Sequence, residues 1–62
     1  MNIQTANIIR GIWDGIECLD PDISTEKLMA MTAWTASQQL DKHFDNADVA
    51  DALILTTKKE TP

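Results

Sequence analysis

The cysteine content of this chain leaves few ways to stabilise a fold. Cys18 is the only cysteine in 62 residues, so the chain cannot close a disulfide on itself, and no Cys/His cluster offers a structural zinc site. A chain of this length is expected to bury about 6,000 Å² on folding. With roughly 60% of that area apolar, transfer at ~25 cal/mol/Å² contributes ~90 kcal/mol, close to the ~90 kcal/mol that ordering the chain costs. We therefore predict one small domain, residues 1–62, that is completed by self-association.

Charge and hydropathy limit the partners and the compartment. Ten acidic residues against five basic ones give a net charge of −5. Such a chain is repelled by phosphate backbones and anionic lipid, so direct binding to nucleic acid or to a membrane is not expected. The longest apolar run, residues 52–55, is far below the ~18 residues that span a bilayer, and residues 1–13 lack the pattern of a secretion signal. Together with a free thiol, these features predict a cytoplasmic protein.

Hydrophobic periodicity predicts a first helix over residues 5–19, with Thr5 as N-cap. Its apolar residues recur at the i, i+3, i+4, i+7 spacing that places them on one face: Ile9, Ile12, Trp13, Ile16 and Leu19, with Ile8 at the edge. The opposite stripe is polar: Arg10, Asp14 and Glu17. Pro21 is expected to end the helix because it lacks an N–H and disfavours a helical residue before it.

A second helix is predicted from a cap at Asp22 or Ser24 to His43 or Phe44, with Glu26 in the first turn, where the helix dipole favours negative charge. Its core stripe contains two alanines and is therefore narrow and flat. The residues of this stripe are Met29, Ala33, Ala36, Leu40 and Phe44.

A third, shorter helix is predicted to begin at a cap on Asp45 or Asn46. Its early acidic residues (Asp48, Asp51) and late basic residues (Lys58, Lys59) follow the order that the helix dipole favours. The inward face is predicted to hold Val49, Ala50, Leu53 and Ile54. The alternative, a strand over residues 52–57, would have no partner strand. The predicted fold class is therefore all-α: a helical hairpin plus a third helix, in a bundle completed by dimerisation, with a frayed tail at residues 57–62.

The outer face of the second helix carries apolar side chains that do not point toward the predicted core. Measured from a core stripe centred on Leu40, Met31 lies about 180° and Trp34 about 120° around the helix. They share a line at i, i+4, i+7, i+11 spacing with Lys27 and Gln38. Exposed Trp and Met side chains are typical of contact surfaces, so these four residues are a candidate partner-binding face. In the alternative interpretation, the third helix covers this face and makes it ordinary core.

Two glycines in the first helix form a second candidate contact. Gly11 and Gly15 each cost roughly 0.5–1 kcal/mol relative to Ala inside a helix. With Cys18 they form a smooth strip beside the apolar face, which predicts close helix packing against the third helix or against a second copy. A kinked helix or a neutral exposed position is the alternative.

Carboxylates around the second turn define a candidate acidic surface, which consists of Asp41, Asp45, Asp48 and Asp51. Such a cluster can imitate a nucleic-acid backbone and occupy a basic groove of another protein. The alternative is that these aspartates lie where helix caps and turns favour Asp.

No residue pattern indicates catalysis, a cofactor or a metal site. His43 has no carboxylate at helical spacing that would make a dyad, and Cys18 lies beside acidic residues that disfavour its thiolate. The sequence therefore predicts a small interaction or regulatory protein that acts as a homodimer, possesses no enzymatic activity and needs no cofactor. The alternative function is an acidic decoy that inhibits a nucleic-acid-handling protein.

Overall fold

Three helices form where the sequence shows helical periodicity. The computed structural model describes residues 1–57, and over that range the chain forms α1 (Ile3–Leu19), α2 (Thr25–Leu40) and α3 (Asn46–Thr56). Each helix contacts the other two, and α1 packs most extensively against α3. The all-α prediction is confirmed, and the alternative strand over residues 52–57 is wrong because α3 continues to Thr56. Apart from Thr57, the predicted frayed tail lies outside the described residues, as do Lys58 and Lys59.

The start of α1 differs from the prediction by two residues. Asn2 is the N-cap, and its side-chain oxygen accepts a hydrogen bond from the Thr5 N–H at 2.8 Å. Thr5, the predicted cap, instead lies inside the first turn. Asn and Thr are both good cap residues, and the one nearer the chain start is used here. The helix ends as predicted before Pro21, with the Asp20 N–H bonded to the Ile16 carbonyl oxygen at 2.9 Å.

The end of α2 comes earlier than predicted. Ser24 caps its start, but the helix stops at Leu40 instead of His43 or Phe44. Asp41 adopts the left-handed conformation, φ 51° and ψ 46°, and its N–H bonds the Ser37 carbonyl oxygen. A left-handed residue other than Gly costs roughly 1–2 kcal/mol, and Asp is among the few that adopt it routinely.

A hydrogen bond from the loop to α2 explains why the chain turns so early. The Ser37 hydroxyl donates to the Ala33 carbonyl oxygen at 2.7 Å and accepts the Phe44 N–H at 2.9 Å. This bond reaches seven residues along the chain, which a continuous helix would not allow. It draws Phe44 back onto the core, where the side chain is buried. Phe44 is therefore a core residue as predicted, but a loop residue and not a helical one.

Small side chains make up half of the core. The buried apolar residues are Ala6, Ile9, Leu28, Ala33, Ala36, Phe44, Val49 and Ala52. Met29 and Leu40 of the predicted stripe are half-buried against this cluster. Alanine lets helix backbones approach closely, and the Cα atoms accordingly extend only 16 Å along the shortest axis of the molecule. The core is thin, and most large side chains lie at its edge.

Five positions on the three helices differ from the predicted inward and outward faces. Ile54 is 72% exposed and Leu19 is 88% exposed, although both were predicted to face inward. On α3 the inward position is taken by Ala52, two residues earlier. Leu19 is the last residue of α1, beyond the reach of the partner helices. On α2, Leu28 and Thr32 are buried although neither was in the predicted stripe.

Neither glycine of α1 is a crossing point within the described chain. Apart from the neighbouring backbone of α1 itself, a Cβ atom built on Gly11 or on Gly15 meets no heavy atom of the described residues within 4 Å. The helix continues through both positions, so neither glycine breaks it. The predicted packing of the glycine strip against α3 is wrong. The predicted contact of this strip with a second copy of the chain stays a prediction.

Thr32 offers a test of core energetics. Its hydroxyl is fully buried and has no hydrogen-bond partner among the described residues. Thr32→Val removes the unpaired hydroxyl at nearly constant shape, so we expect the free energy of unfolding to rise by about 1 kcal/mol in urea denaturation. Thr56→Val is the matched control, because the Thr56 hydroxyl donates to the Ala52 carbonyl oxygen at 2.8 Å. An equal loss of stability in both variants would contradict the prediction.

Gly15→Ala tests the role of the glycine strip. Because a methyl group there has open space, we expect the free energy of unfolding to rise by about 0.5–1 kcal/mol, the gain in helix propensity. Thermal unfolding followed by circular dichroism measures the effect. If stability instead falls, and falls more at higher protein concentration, a second copy crosses α1 at this glycine.

Candidate protein-binding site

The outer face of α2 is open to solvent. Trp34 is 66% exposed and Met31 is 42% exposed, and Lys27 and Gln38 on the same line are exposed as well. The alternative in which α3 covers this face is therefore wrong for the described residues. The spacing correctly predicted the direction of all four side chains, while their role in binding a partner stays a prediction.

The exposure of Trp34 follows from which residues of α2 are buried. Leu28, Thr32 and Ala36 lie one above another at i, i+4, i+8 spacing and face the core. At 100° per residue, Trp34 lies about 160° from Ala36, nearly on the opposite side of the helix. No rotation of α2 that keeps its buried face can bring the indole into the core. The large apolar surface of Trp34 is thus left to solvent or to another molecule.

A groove runs beside Trp34, between α2 and the loop that leads into α3. Its volume is about 650 Å³ and it is open on one side. The α2 residues that line it are Ala30, Ala33, Trp34, Ser37 and Gln38, at i, i+3, i+4, i+7, i+8 spacing, and the loop and α3 supply His43, Phe44, Asp45, Asn46 and Ala47. Four of these ten residues have small side chains: Ala30, Ala33, Ser37 and Ala47. The groove combines an apolar surface with a few polar groups at its edge.

The groove lies to one side of the predicted partner-binding face. Trp34 and Gln38 line it, whereas Lys27 and Met31 lie on the other flank of Trp34. Helical spacing alone indicates which α2 residues line the groove beside Trp34, since Ala30 lies four residues before it and Ser37 three residues after it. The opposite wall was missed because it depends on the chain turning back at Asp41, and no periodicity signals that turn.

Three hydrogen bonds hold the loop wall in position. The Phe44 N–H is held by the Ser37 hydroxyl, and Asp45 begins α3 through a capping box. In this box the Asp45 carboxylate accepts the Asp48 N–H at 3.1 Å, and the Asp48 carboxylate accepts the Asp45 N–H at 3.0 Å. The reciprocal arrangement satisfies two backbone donors at a helix start. The wall is therefore held at both Phe44 and Asp45.

The predicted acidic surface has a local explanation at three of its four positions. Asp45 and Asp48 form the capping box, and Asp41 occupies the left-handed position that ends α2. Asp51 is exposed on α3 and makes no such bond within the described residues. The aspartates thus lie where caps and turns favour them, and a decoy function for this surface stays a prediction.

The remaining reactive side chains do not converge. His43 lies in the loop between α2 and α3, and Cys18 is free and exposed on α1. Among residues 1–57, no group of three His, Cys, Asp or Glu side chains is placed to hold a metal ion. In the same range, no helix has both the length and the apolar run needed to cross a bilayer.

Comparison with known proteins gives no relative. No family model matches the chain, and no curated protein or solved structure is significantly similar to it. The function therefore has to be argued from the geometry alone.

Ser37→Ala tests how the loop wall is held. The variant leaves the Phe44 N–H without its partner in a partly buried position, so we expect the free energy of unfolding to fall by about 1–3 kcal/mol. Urea denaturation gives this value. Thr25→Ala removes a hydroxyl from an exposed position of the same helix and should change stability by less than about 0.5 kcal/mol. Equal effects of the two substitutions would contradict the anchoring role of Ser37.

Proposed function

We propose that this chain is a small protein–protein interaction module of regulatory type, which works as a homodimer and performs no chemistry of its own. The observation that carries the proposal is Trp34, two-thirds exposed beside an open apolar groove. Trp is the residue most often found at the energetic centre of protein interfaces. Met31 is exposed on the same face, and Met is another residue type enriched at protein interfaces.

The balance between core and surface supports self-association. The exposed large apolar residues are Met1, Ile3, Ile8, Leu19, Met31, Trp34, Ile54 and Leu55. They are as numerous as the buried apolar residues and larger on average, since four of the latter are alanines. Burial of apolar area is the dominant favourable term in folding and association, so a second copy offers stabilisation that the single chain lacks.

The proposed setting is the cytoplasm. A free and exposed thiol at Cys18 persists more readily in a reducing compartment than in an oxidising one. The net charge of −5 keeps direct contact with nucleic acid and anionic membranes unfavourable. These features support a partner that is protein.

Trp34→Ala is the direct test. If Trp34 anchors the dimer, the substitution should raise the dimer dissociation constant by at least about 30-fold, corresponding to ~2 kcal/mol. Sedimentation equilibrium over a concentration series measures it, and the exposed side chain makes loss of folding unexpected. Leu19→Ala is the control, because Leu19 is even more exposed but lies at the end of another helix.

Two outcomes would contradict the proposal. The homodimer is contradicted if the wild-type chain remains a monomer up to millimolar concentration. The anchoring role of Trp34 is contradicted if the Trp34→Ala variant keeps the mass of the wild-type assembly.

The salt dependence of binding distinguishes the acidic decoy from the apolar dimer. Binding of a basic partner falls steeply between about 50 and 200 mM salt, whereas apolar dimerisation changes little.

A further inference from the structure

We infer that the occupant of the groove is Trp34 of a second copy, so that in the dimer each indole inserts into the groove of the other chain. The inference rests on the proposed homodimer and specifies its geometry. The projecting indole and the groove that would receive it lie side by side on one surface of the chain. A twofold interface uses the same patch on both subunits, and such a patch must be complementary to itself. A projection next to a recess meets this requirement.

The groove has the size and the lining that an indole needs. Its volume of about 650 Å³ lies within the roughly 300–1,000 Å³ range of small-molecule sites, and its outer side is wide open to solvent, so an indole can enter without a change in the fold. Ala30, Ala33 and Ala47 leave room for a ring, and Phe44 presents an aromatic neighbour. Aromatic rings in offset or edge-to-face contact gain stabilisation beyond their buried area.

The groove also offers acceptors for the indole N–H. A buried Trp usually donates its N–H to a polar partner. The lining includes the side-chain oxygens of Gln38, Asp45 and Asn46, all on exposed residues at the groove edge. An inserted indole can therefore bury its apolar surface without leaving its single donor unsatisfied.

Charge favours this face for the meeting of two copies. Each chain carries a net charge of −5, so two chains repel each other wherever their carboxylates approach. Among the described residues that line the groove, Asp45 alone carries a formal charge, with His43 counted as neutral. The Asp45 carboxylate also accepts the Asp48 N–H. The groove is thus a nearly uncharged surface on an acidic chain.

A stable interface must extend beyond the two indoles. Specific interfaces bury about 800 Å² per partner, while one Trp buries roughly 150–250 Å². Met31, on the flank of Trp34 away from the groove, and Gln38 at its edge are exposed and continue the same face. The interface that we infer therefore contains the reciprocal Trp34 insertions at its centre and the neighbouring exposed side chains of α2 around them.

A pair of complementary variants tests the insertion. Trp34→Ala removes the projection and, in the same chain, the part of the groove lining that Trp34 supplies, while the loop wall stays in place. Ala47→Glu keeps the projection but places a charge in the groove. Ala47 is exposed in the first turn of α3, where a negative charge is favourable, so this variant is expected to fold. Gln39→Glu, which adds the same charge at an exposed α2 position outside the groove lining, is the control.

Reciprocal insertion predicts a specific result when the two variants are mixed. Each variant alone should dissociate at least about 30-fold more readily than wild type, because both insertions are lost. The mixed dimer keeps one insertion, into a groove that lacks only its own Trp34, so its dissociation constant should rise by at least about fivefold, the square root of that factor when the two insertions are independent, and still by less than that of either variant alone. Native mass spectrometry separates the mixed dimer from both parents by mass, and sedimentation gives its affinity. Gln39→Glu should dimerise as wild type does.

The outcomes distinguish this inference from the function on which it rests. If Trp34→Ala dissociates the dimer but Ala47→Glu does not, or if mixing gives no recovery, the chain dimerises through Trp34 without inserting it into the groove, and the inference is overturned. If the wild type is a monomer, the homodimer and the insertion both fail. In that case the groove is left to a partner of other chemistry. Recovery in the mixture, with an unaffected Gln39→Glu, supports the inference.

Discussion

The use of alanine at the helix contacts determines the rest of this structure. Ala6, Ala33, Ala36 and Ala52 lie where the three helices meet, and they allow close approach at the expense of buried volume. Close packing recovers dispersion contacts, but a methyl group removes little apolar area from water. The larger apolar residues consequently lie at the edges of a thin molecule or on its outer faces. The exposed indole of Trp34 is one result of this distribution.

Much of the helical content could be predicted from residue spacing. The three helices, the stop at Pro21, the cap at Ser24 and the capping role of Asp45 all depend on local propensity and local hydrogen bonds, which a sequence displays directly. The exposed positions of Met31 and Trp34 also followed, since the angle between two residues on one helix is fixed. These features need no knowledge of how the helices pack.

What could not be predicted depends on contacts between distant residues. The predicted inward face of α3 contains Val49, Ala50, Leu53 and Ile54. Val49 is buried and Ala50 and Leu53 are half-buried, but Ile54 is exposed and Ala52 is buried instead, which depends on how α3 packs against the other helices. The end of α2 was placed too late, because the left-handed Asp41 and the bond from Phe44 to Ser37 replace helical bonds that the local sequence would equally support. The loop wall of the groove depends on both of these events. For this reason the sequence indicated one wall of the candidate site and not the other.

The bond between Ser37 and Phe44 also joins the two walls of the groove. Ser37 lies in the α2 wall, and its hydroxyl accepts the N–H of Phe44 from the opposite wall at 2.9 Å. Residues 37 and 44 lie seven positions apart, and a continuous helix would not bring them together, so the recess exists only when the chain has folded. A molecule that recognised this recess would therefore bind the native chain and ignore the unfolded one.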